Sequence, residues 1–323
     1  MKNTNNNLLY CFYNLNNNSS IIDSCGKVYS SHELKCIVYN VALNMVNKKL
    51  DHDIHINSQP TFENIILFIA ALHLDKNIVI DDSTQKLSEK VDFEFVFDAC
   101  HFSEEDYTSF IENNSLVNTN IILYTSGTSG KRKEVLLDND SLYYQACEIA
   151  SHLELGIDAN QMCYMPLNYV YGLSIITTWL FSNSQLSLTS YQPKDLLKFY
   201  NDISFKEITH FSGVPYTYIL FNKVKLDSFN LSHLKVLTQA GGYLPSKYKN
   251  NLIKCIKNVK FCVMYGQTEF GGRISQAFIK KDSYNERYVG ELLNGVYGFC
   301  DENDELFIYS PSVCKNNEIL NKS

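Results

Sequence analysis

Residues 124–133 read YTSGTSGKRK, a run of hydroxyls and glycines that ends in Lys131, Arg132 and Lys133. Consecutive backbone N–H groups in such a loop form an anion-binding nest. Hydroxyls add donors, and Lys133 or Lys131 adds the charge that holds a polyphosphate. The spacing is not that of a Walker A loop, because Gly130-Lys131 is followed by Arg132 and the first glycine is misplaced. For the SGTS fragment alone, a plain surface loop is the competing reading. Glycine is scarce, 14 in 323 residues, against a usual ~7 %, so each is expected where the backbone requires it. Half of them fall in three short stretches: Gly127 and Gly130; Gly241 and Gly242; and Gly266, Gly271 and Gly272. These stretches are the candidate sites. The eight histidines form no metal-binding pattern; His52 and His55, three apart in a polar stretch, read as solvated. No G-x-S-x-G nucleophile motif occurs. The segment MPLNYVYGL, residues 165–173, is apolar and tyrosine-rich and reads as core on its residues alone.

A site of this kind needs a scaffold. At roughly 150 residues per domain, 323 residues predict about two domains, or one large α/β body in two lobes. Hydrophobic residues make up 45 % and charged residues 20 %, an ordinary globular composition that excludes disorder, collagen and coiled coil. The net charge of −7 and the lack of any long Lys/Arg block argue against nucleic acid as a ligand. The ten cysteines include no C-x-x-C pair and read as reduced, mostly buried thiols. No secretory signal opens the chain, and its longest apolar runs, 65–72 and 172–181, fall short of the ~20 residues of a membrane span. A cytoplasmic location is expected. The asparagine clusters at 5–7 and 16–18 read as a mobile N-terminus without function.

Hydrophobic periodicity alternates between short strands and longer helices. Residues 62–74 are apolar nearly all round, as in a buried helix, and 77–80, 91–97 and 121–124 read as strands. The polar stretch 103–120 reads as a linker. Asp138 or Asp140 caps a helix with an apolar face of Leu142, Ala146, Ile149, Ala150 and Leu153, stopped by Gly156. Beyond it, strand signals (162–167, 186–189, 208–211, 234–238, 261–265) alternate with helix signals (172–181, 193–203, 216–221, 245–256). Residues 274–279 and 306–309 are strands without an intervening helix. The expected class is α/β: two lobes of mainly parallel sheets covered by helices, with a small β-rich, barrel-like C-terminal appendix, and ligands at the carboxyl ends of strands. The expected units are 1–102, an N-terminal α/β lobe; 121–270, a second α/β lobe carrying the loop; and 271–323, the appendix.

Three motifs in order carry a resemblance. TSGTSGKRK resembles the phosphate loop of the adenylate-forming (AMP-binding) superfamily. QAGGYLP, residues 239–245, resembles its adenine-side glycine pair, and VMYGQTE, residues 263–269, resembles its Tyr-Gly-x-Thr-Glu signature. The stretch from Ile208 to Ser275 is most similar to the acyl-CoA synthetase-like branch. The resemblance implies that a carboxylate attacks the α-phosphate of ATP to give an acyl-adenylate and pyrophosphate. CoA or a phosphopantetheinyl carrier protein is then the acyl acceptor. It also implies that Thr125, Ser126, Gly127, Thr128, Ser129 and Gly130 hold the phosphates with Lys133. Gly241, Gly242, Tyr265 and Gly266 flank the adenine, Thr268 bonds a phosphate oxygen, and Glu269 holds Mg²⁺. MPLNYVYGL resembles the segment lining the acyl pocket, with Tyr169 where many relatives carry His; Tyr169, Gly172 and Gln239 are the implied pocket residues.

Two departures bear on mechanism. Arg132 and Glu134 replace the family's usual Pro and Gly, and Glu134 brings negative charge to a polyphosphate site. After ELFIYS, residues 305–310, which resembles a late barrel strand, neither the ribose-binding Thr-Gly-Asp element nor the C-terminal lid domain follows. An AMP-forming acid–thiol ligase, or a truncated form of one, is therefore expected with its lid supplied elsewhere. The alternative is a non-catalytic nucleotide- or acyl-binding descendant. Amino-acid-activating members of the resembled family pair the substrate ammonium with an Asp in the pocket segment, and no Asp or Glu lies between Asp158 and Asp195, so the resemblance implies as partner a small fatty, aryl or hydroxy acid and not an α-amino acid.

Overall fold

The alternating signals resolve into three sheets in the computed structural model, which describes residues 7–48, 53–74, 76–81, 119–126, 132–224, 226–279 and 288–316. The chain begins with α1 (Leu8–Tyr13), β1 (Ser20–Ile22), β2 (Val28–Ser30), α2 (Ser31–Asn47), β3 (Ile54–Ile56), α3 (Phe62–Ala71), β4 (Ile78–Ile80), β5 (Asn120–Ser126) and β6 (Arg132–Asp138). It continues through α4 (Asn139–His152), β7 (Asn160–Cys163), α5 (Val170–Ser182), β8 (Gln185–Leu188), α6 (Leu196–Phe205), β9 (His210–Gly213), α7 (Pro215–Phe221), β10 (Val236–Gln239), α8 (Ser246–Cys255) and β11 (Lys260–Tyr265). Four short strands close it: β12 (Ser275–Phe278), β13 (Glu291–Leu292), β14 (Tyr297–Cys300) and β15 (Leu306–Tyr309).

A nine-stranded sheet runs β13-β12-β11-β10-β9-β7-β8-β1-β2. Its middle, from β1 through β8, β7, β9 and β10 to β11, is parallel, and antiparallel strands add at both edges. A four-stranded sheet runs β3-β4-β5-β6, parallel until β6 turns back, and β14 and β15 form a separate hairpin. This is the expected α/β class, helices flanking mostly parallel sheets with small antiparallel strands late in the chain. Sheet membership cuts across the three expected stretches: β1 and β2 join the large sheet, β5 and β6 the small one, and β12 and β13 extend the large sheet.

Local chemistry explains the elements. Ser30 and Glu33 form a capping box on α2, Thr61 caps α3, and the Asp138 carboxylate accepts the Ser141 N–H at 2.7 Å on α4. Helices α3 and α5 are apolar on nearly every side and accordingly lie buried, α5 against α4 and α1.

Several expectations are corrected. Helix α4 is ended at Glu154, which takes the left-handed conformation at φ 57, and not at Gly156. Asn120 opens a strand and is not linker. The N-terminal asparagines do structural work: Asn7 caps α1, whose Leu8, Leu9 and Phe12 enter the core, and the Asn16 carboxamide oxygen accepts the N–H groups of Asn18 and Ser19. His55 sits on β3, half-buried, with a buried Nδ1 that has no hydrogen-bond partner. Residues 91–97 and 103–118 lie outside the described residues, as does His52.

Candidate functional site

The loop's two flanks are one hairpin. β5 and β6 pair antiparallel up to Ser126 opposite Arg132, with Thr125 opposite Lys133 and Tyr124 opposite Glu134. Lys133 therefore stands on the returning strand and not in the loop. Gly127, Thr128, Ser129, Gly130 and Lys131 lie outside the described residues. Neighbouring strand residues face opposite sides, which separates Lys133 from Glu134. Glu134 acts on Tyr124, whose phenol is held above its ordinary value by burial, then by Glu134, Asp81 and Asp53, against the pull of Arg132. The hairpin thus has an acidic face and a face that presents Lys133.

Lys133 meets the Thr-Glu motif. Beyond β11 the chain enters a single 3₁₀ turn, Thr268–Phe270, packed against β6. Thr268 and Glu269 are half-buried. The Glu269 carbonyl accepts the Cys314 N–H at 2.8 Å. The Cys314 thiol is pushed up first by burial and then by the Glu269 charge, while Lys133 pulls it down. The turn that bears Glu269 and the strand that bears Lys133 are thus packed together beside the buried Cys314.

The turn is held from below by Gln145 of α4. Its Nε2 donates to the carbonyls of Phe270 (3.1 Å) and Arg273 (2.8 Å) and to Ser312 Oγ (2.7 Å), and Ser312 Oγ donates to Phe270 O at 2.9 Å. Gly271 takes φ 69, and a Cβ there would stand 2.9 Å from Gln145 Cγ, so glycine is required.

The glycine pair lies at the carboxyl end of β10, next to Tyr169. Gly241 and Gly242 are exposed with φ of 79 and 145, and a Cβ on Gly241 would overlap the Tyr169 hydroxyl. Gln239 is buried and its Nε2 donates to the Gly242 carbonyl at 2.7 Å, so it shapes the turn. Tyr171 binds Thr238 through its hydroxyl at 2.6 Å. Gly172 is buried, and a Cβ there would meet the carbonyl oxygens of Pro166 and Met165; its smallness serves the packing of α5. Gly266 likewise lets β11 lie on Gly272 and Arg273, whose Cα would be 2.9 Å from its Cβ. Tyr265 packs beside Phe270, Ile274, Leu293 and Val296, and its hydroxyl accepts from Gln267 Nε2 at 3.3 Å.

The structure thus gathers Thr125, Lys133, Thr268 and Glu269 on one side and Tyr169, Gln239, Gly241 and Gly242 at the strand ends. Sequence reasoning missed Gln145, Cys314 and Arg273. Gln145 had a signal, a polar residue within the Leu142–Ala146–Ile149 apolar stripe; Cys314 had none. A hollow of about 580 Å³ lies at the opposite, amino ends of the strands beside Asn160, Gln185 and Lys235 and holds none of these residues. Among the described residues no three His, Cys, Asp or Glu side chains cluster as metal ligands, and no helix is long and apolar enough to cross a membrane.

The model of a family described as AMP-binding enzyme matches residues 29–297. A 4-coumarate-CoA ligase of Narcissus pseudonarcissus is 24 % identical over 252 residues, 74 % of this chain and 43 % of that protein. Matches to the curated relatives span less than half of those relatives' length. Among solved structures, the N-terminal subdomain of Klebsiella oxytoca NpsA in complex with anthranilyl-AMSN superposes with a TM-score of 0.77 at 15 % identity, over 96 % of this chain and 88 % of that one. The O-succinylbenzoate coenzyme A synthetase of Bacillus subtilis, in complex with ATP and magnesium ion, superposes at 0.74 and 16 % identity, over 96 % of this chain and 71 % of that one. At these identities the superpositions establish the fold.

Proposed function

Because the chain belongs to the AMP-binding enzyme family, we propose that its site activates a small carboxylic acid with ATP, forming an acyl-adenylate, and passes the acyl group to CoA or a carrier-protein thiol. The observation that carries this reading is the packing of the Thr268–Phe270 turn, which bears Glu269, against β6, the strand that bears Lys133. A cation for phosphate oxygens and a carboxylate for a hard cation stand together at the foot of a hydroxyl- and glycine-rich loop. The donor set fits Mg²⁺, which takes one or two carboxylates and fills its remaining positions with phosphate oxygens and water. Glu269 would hold Mg²⁺ there, and the ion would neutralise charge on the phosphates.

The chain's own residues divide the remaining work. The Lys133 ammonium neutralises phosphate oxygens as charge moves toward the leaving pyrophosphate, and Thr268 donates to a phosphate oxygen; both are fixed before reaction, which is how such groups lower a barrier. Gly241 and Gly242 carry no side chain over the strand ends, so a purine can lie against their backbone. Tyr169 closes the acyl side. In the step itself a carboxylate oxygen of the acid attacks the α-phosphorus, and the bond to the bridging oxygen of pyrophosphate breaks. Positioning the two reactants in line is the chain's main contribution. With no Asp or Glu between Asp158 and Asp195, a substrate ammonium finds no partner there, which favours fatty, aryl or hydroxy acids. The second reading, a nucleotide-binding protein without catalysis, is favoured by Glu134, Asp81 and Asp53 around Tyr124.

Calorimetric titration of MgATP into wild type and Lys133→Ala tests the assignment. The reading expects about tenfold weaker binding by the variant, the scale of one partly exposed charge-assisted hydrogen bond. Equal affinity would remove Lys133 from the site.

A further inference from the structure

Among the described residues, Arg273 is a buried cation without an anion. The residue is 2 % exposed, and among the described residues it forms no ion pair. Its Nη1 donates to Gln276 Oε1 at 3.0 Å, whereas Nε is buried with no partner. The guanidinium carbon lies 6.0 Å from the centroid of the Tyr171 ring, a contact that only partly offsets desolvation. The groups facing it are neutral near pH 7. Burial pushes the Tyr171 phenol and the Cys262 thiol each up to about 12, and burial together with Arg273 itself pulls His152 of α4 below its ordinary value. An unpaired charge is costly to bury, and a guanidinium does not shed its proton.

The position of Arg273 connects it to the acyl side of the site. It follows Glu269 by four residues and its backbone lies directly against Gly266. Tyr171, over which its guanidinium sits, binds Thr238, the residue before Gln239 and three before the glycine pair. No acidic residue between Asp158 and Asp195 competes for it.

We propose that Arg273 is the countercharge for a second carboxylate on the substrate, so that the acids activated here are dicarboxylic, with the remote carboxylate held by the guanidinium and the other presented to ATP. A carboxylate matches the planar donor fork of arginine, and Nε is the donor left open for it. This rests on the acid-activating reading above and narrows its substrate class.

The test is calorimetry on the full chain with MgATP present, using length-matched pairs: butyrate and succinate, hexanoate and adipate, benzoate and terephthalate. The expected result is that in at least one pair the diacid binds tenfold or more tightly than its partner, and that Arg273→Met erases that ratio while Arg273→Lys retains part of it. A purely structural arginine would weaken both members alike and leave the ratio in place. If Arg273→Met fails to fold, the wild-type ranking still decides. Acid binding without any preference for diacids overturns the role of Arg273 and leaves acid activation standing. No binding of any acid overturns both.

Discussion

Replacing Gly241 by alanine has a cost that can be divided in two. At φ 79 an L-residue pays about 1–2 kcal/mol for the left-handed conformation. The new Cβ would also overlap the Tyr169 hydroxyl, while the next atoms, Tyr169 Cζ and Val214 Cγ1, stand at 3.5 Å, an ordinary contact. The steric part therefore belongs to one oxygen. Overpacking costs roughly 1–3 kcal/mol, and Tyr169, 37 % exposed, can swing outward, which places this term near the lower end. Gly241→Ala should thus lose about 2–3 kcal/mol in the wild-type background and about 1–2 kcal/mol in a Tyr169→Phe background, a coupling of about 1 kcal/mol. Guanidinium chloride unfolding of the four proteins measures it, and AMP titration reports whether nucleotide affinity follows the same pattern. Equal losses in both backgrounds would show that Tyr169 does not stand against the glycine pair.

Two further outcomes are expected. Gln145→Ala removes the side-chain donor of the Arg273 carbonyl and leaves the Phe270 carbonyl with Ser312 Oγ alone. It should lower stability by roughly 2–3 kcal/mol and weaken MgATP binding through the displaced Thr268–Phe270 turn, as unfolding and calorimetry would show; an unchanged melting temperature would remove Gln145 as the support of that turn. Burial depresses His73 and His210 to about 4, so their contribution is complete above the unfolded value near ~6.5 and is lost as pH falls from there toward 4, by up to roughly 3 kcal/mol each. Urea unfolding at pH 7.5 and pH 5 should show the drop, and His210→Gln should flatten it; a slope of opposite sign would contradict the buried, neutral assignment.

Where side-chain period alone decides, the chain was readable. Residues 62–74 are apolar on all sides and form the buried helix α3, and the βα alternation from 160 to 265 gives the parallel sheet. Register and long-range pairing were not readable. Residues 132–138 carry Arg, Lys and Glu at their start, which disguises a strand whose partner, β5, lies across the loop, so Lys133 reads from sequence as loop and its separation from Glu134 stays hidden. The short strands β1 and β2 have no pattern that says which sheet they join. Glu154 at a left-handed position depends on tertiary packing, against the local preference for Gly156. Within the site, the glycine stretches announced themselves because side chains are excluded there, as at Gly241, Gly266 and Gly271. Cys314 was silent, because a residue at the end of a polar stretch gains meaning only from its backbone bond to the Glu269 carbonyl.

The most direct measurement is acid-dependent exchange of labelled pyrophosphate into ATP, run over a panel of mono- and dicarboxylic acids. It is made with the chain alone and with the C-terminal domain of a related ligase added. The account predicts exchange that requires both an acid and Mg²⁺ and is lost in Lys133→Ala and Glu269→Gln. MgATP binding with no exchange for any acid in either arrangement would contradict it and leave a nucleotide-binding protein without the chemistry.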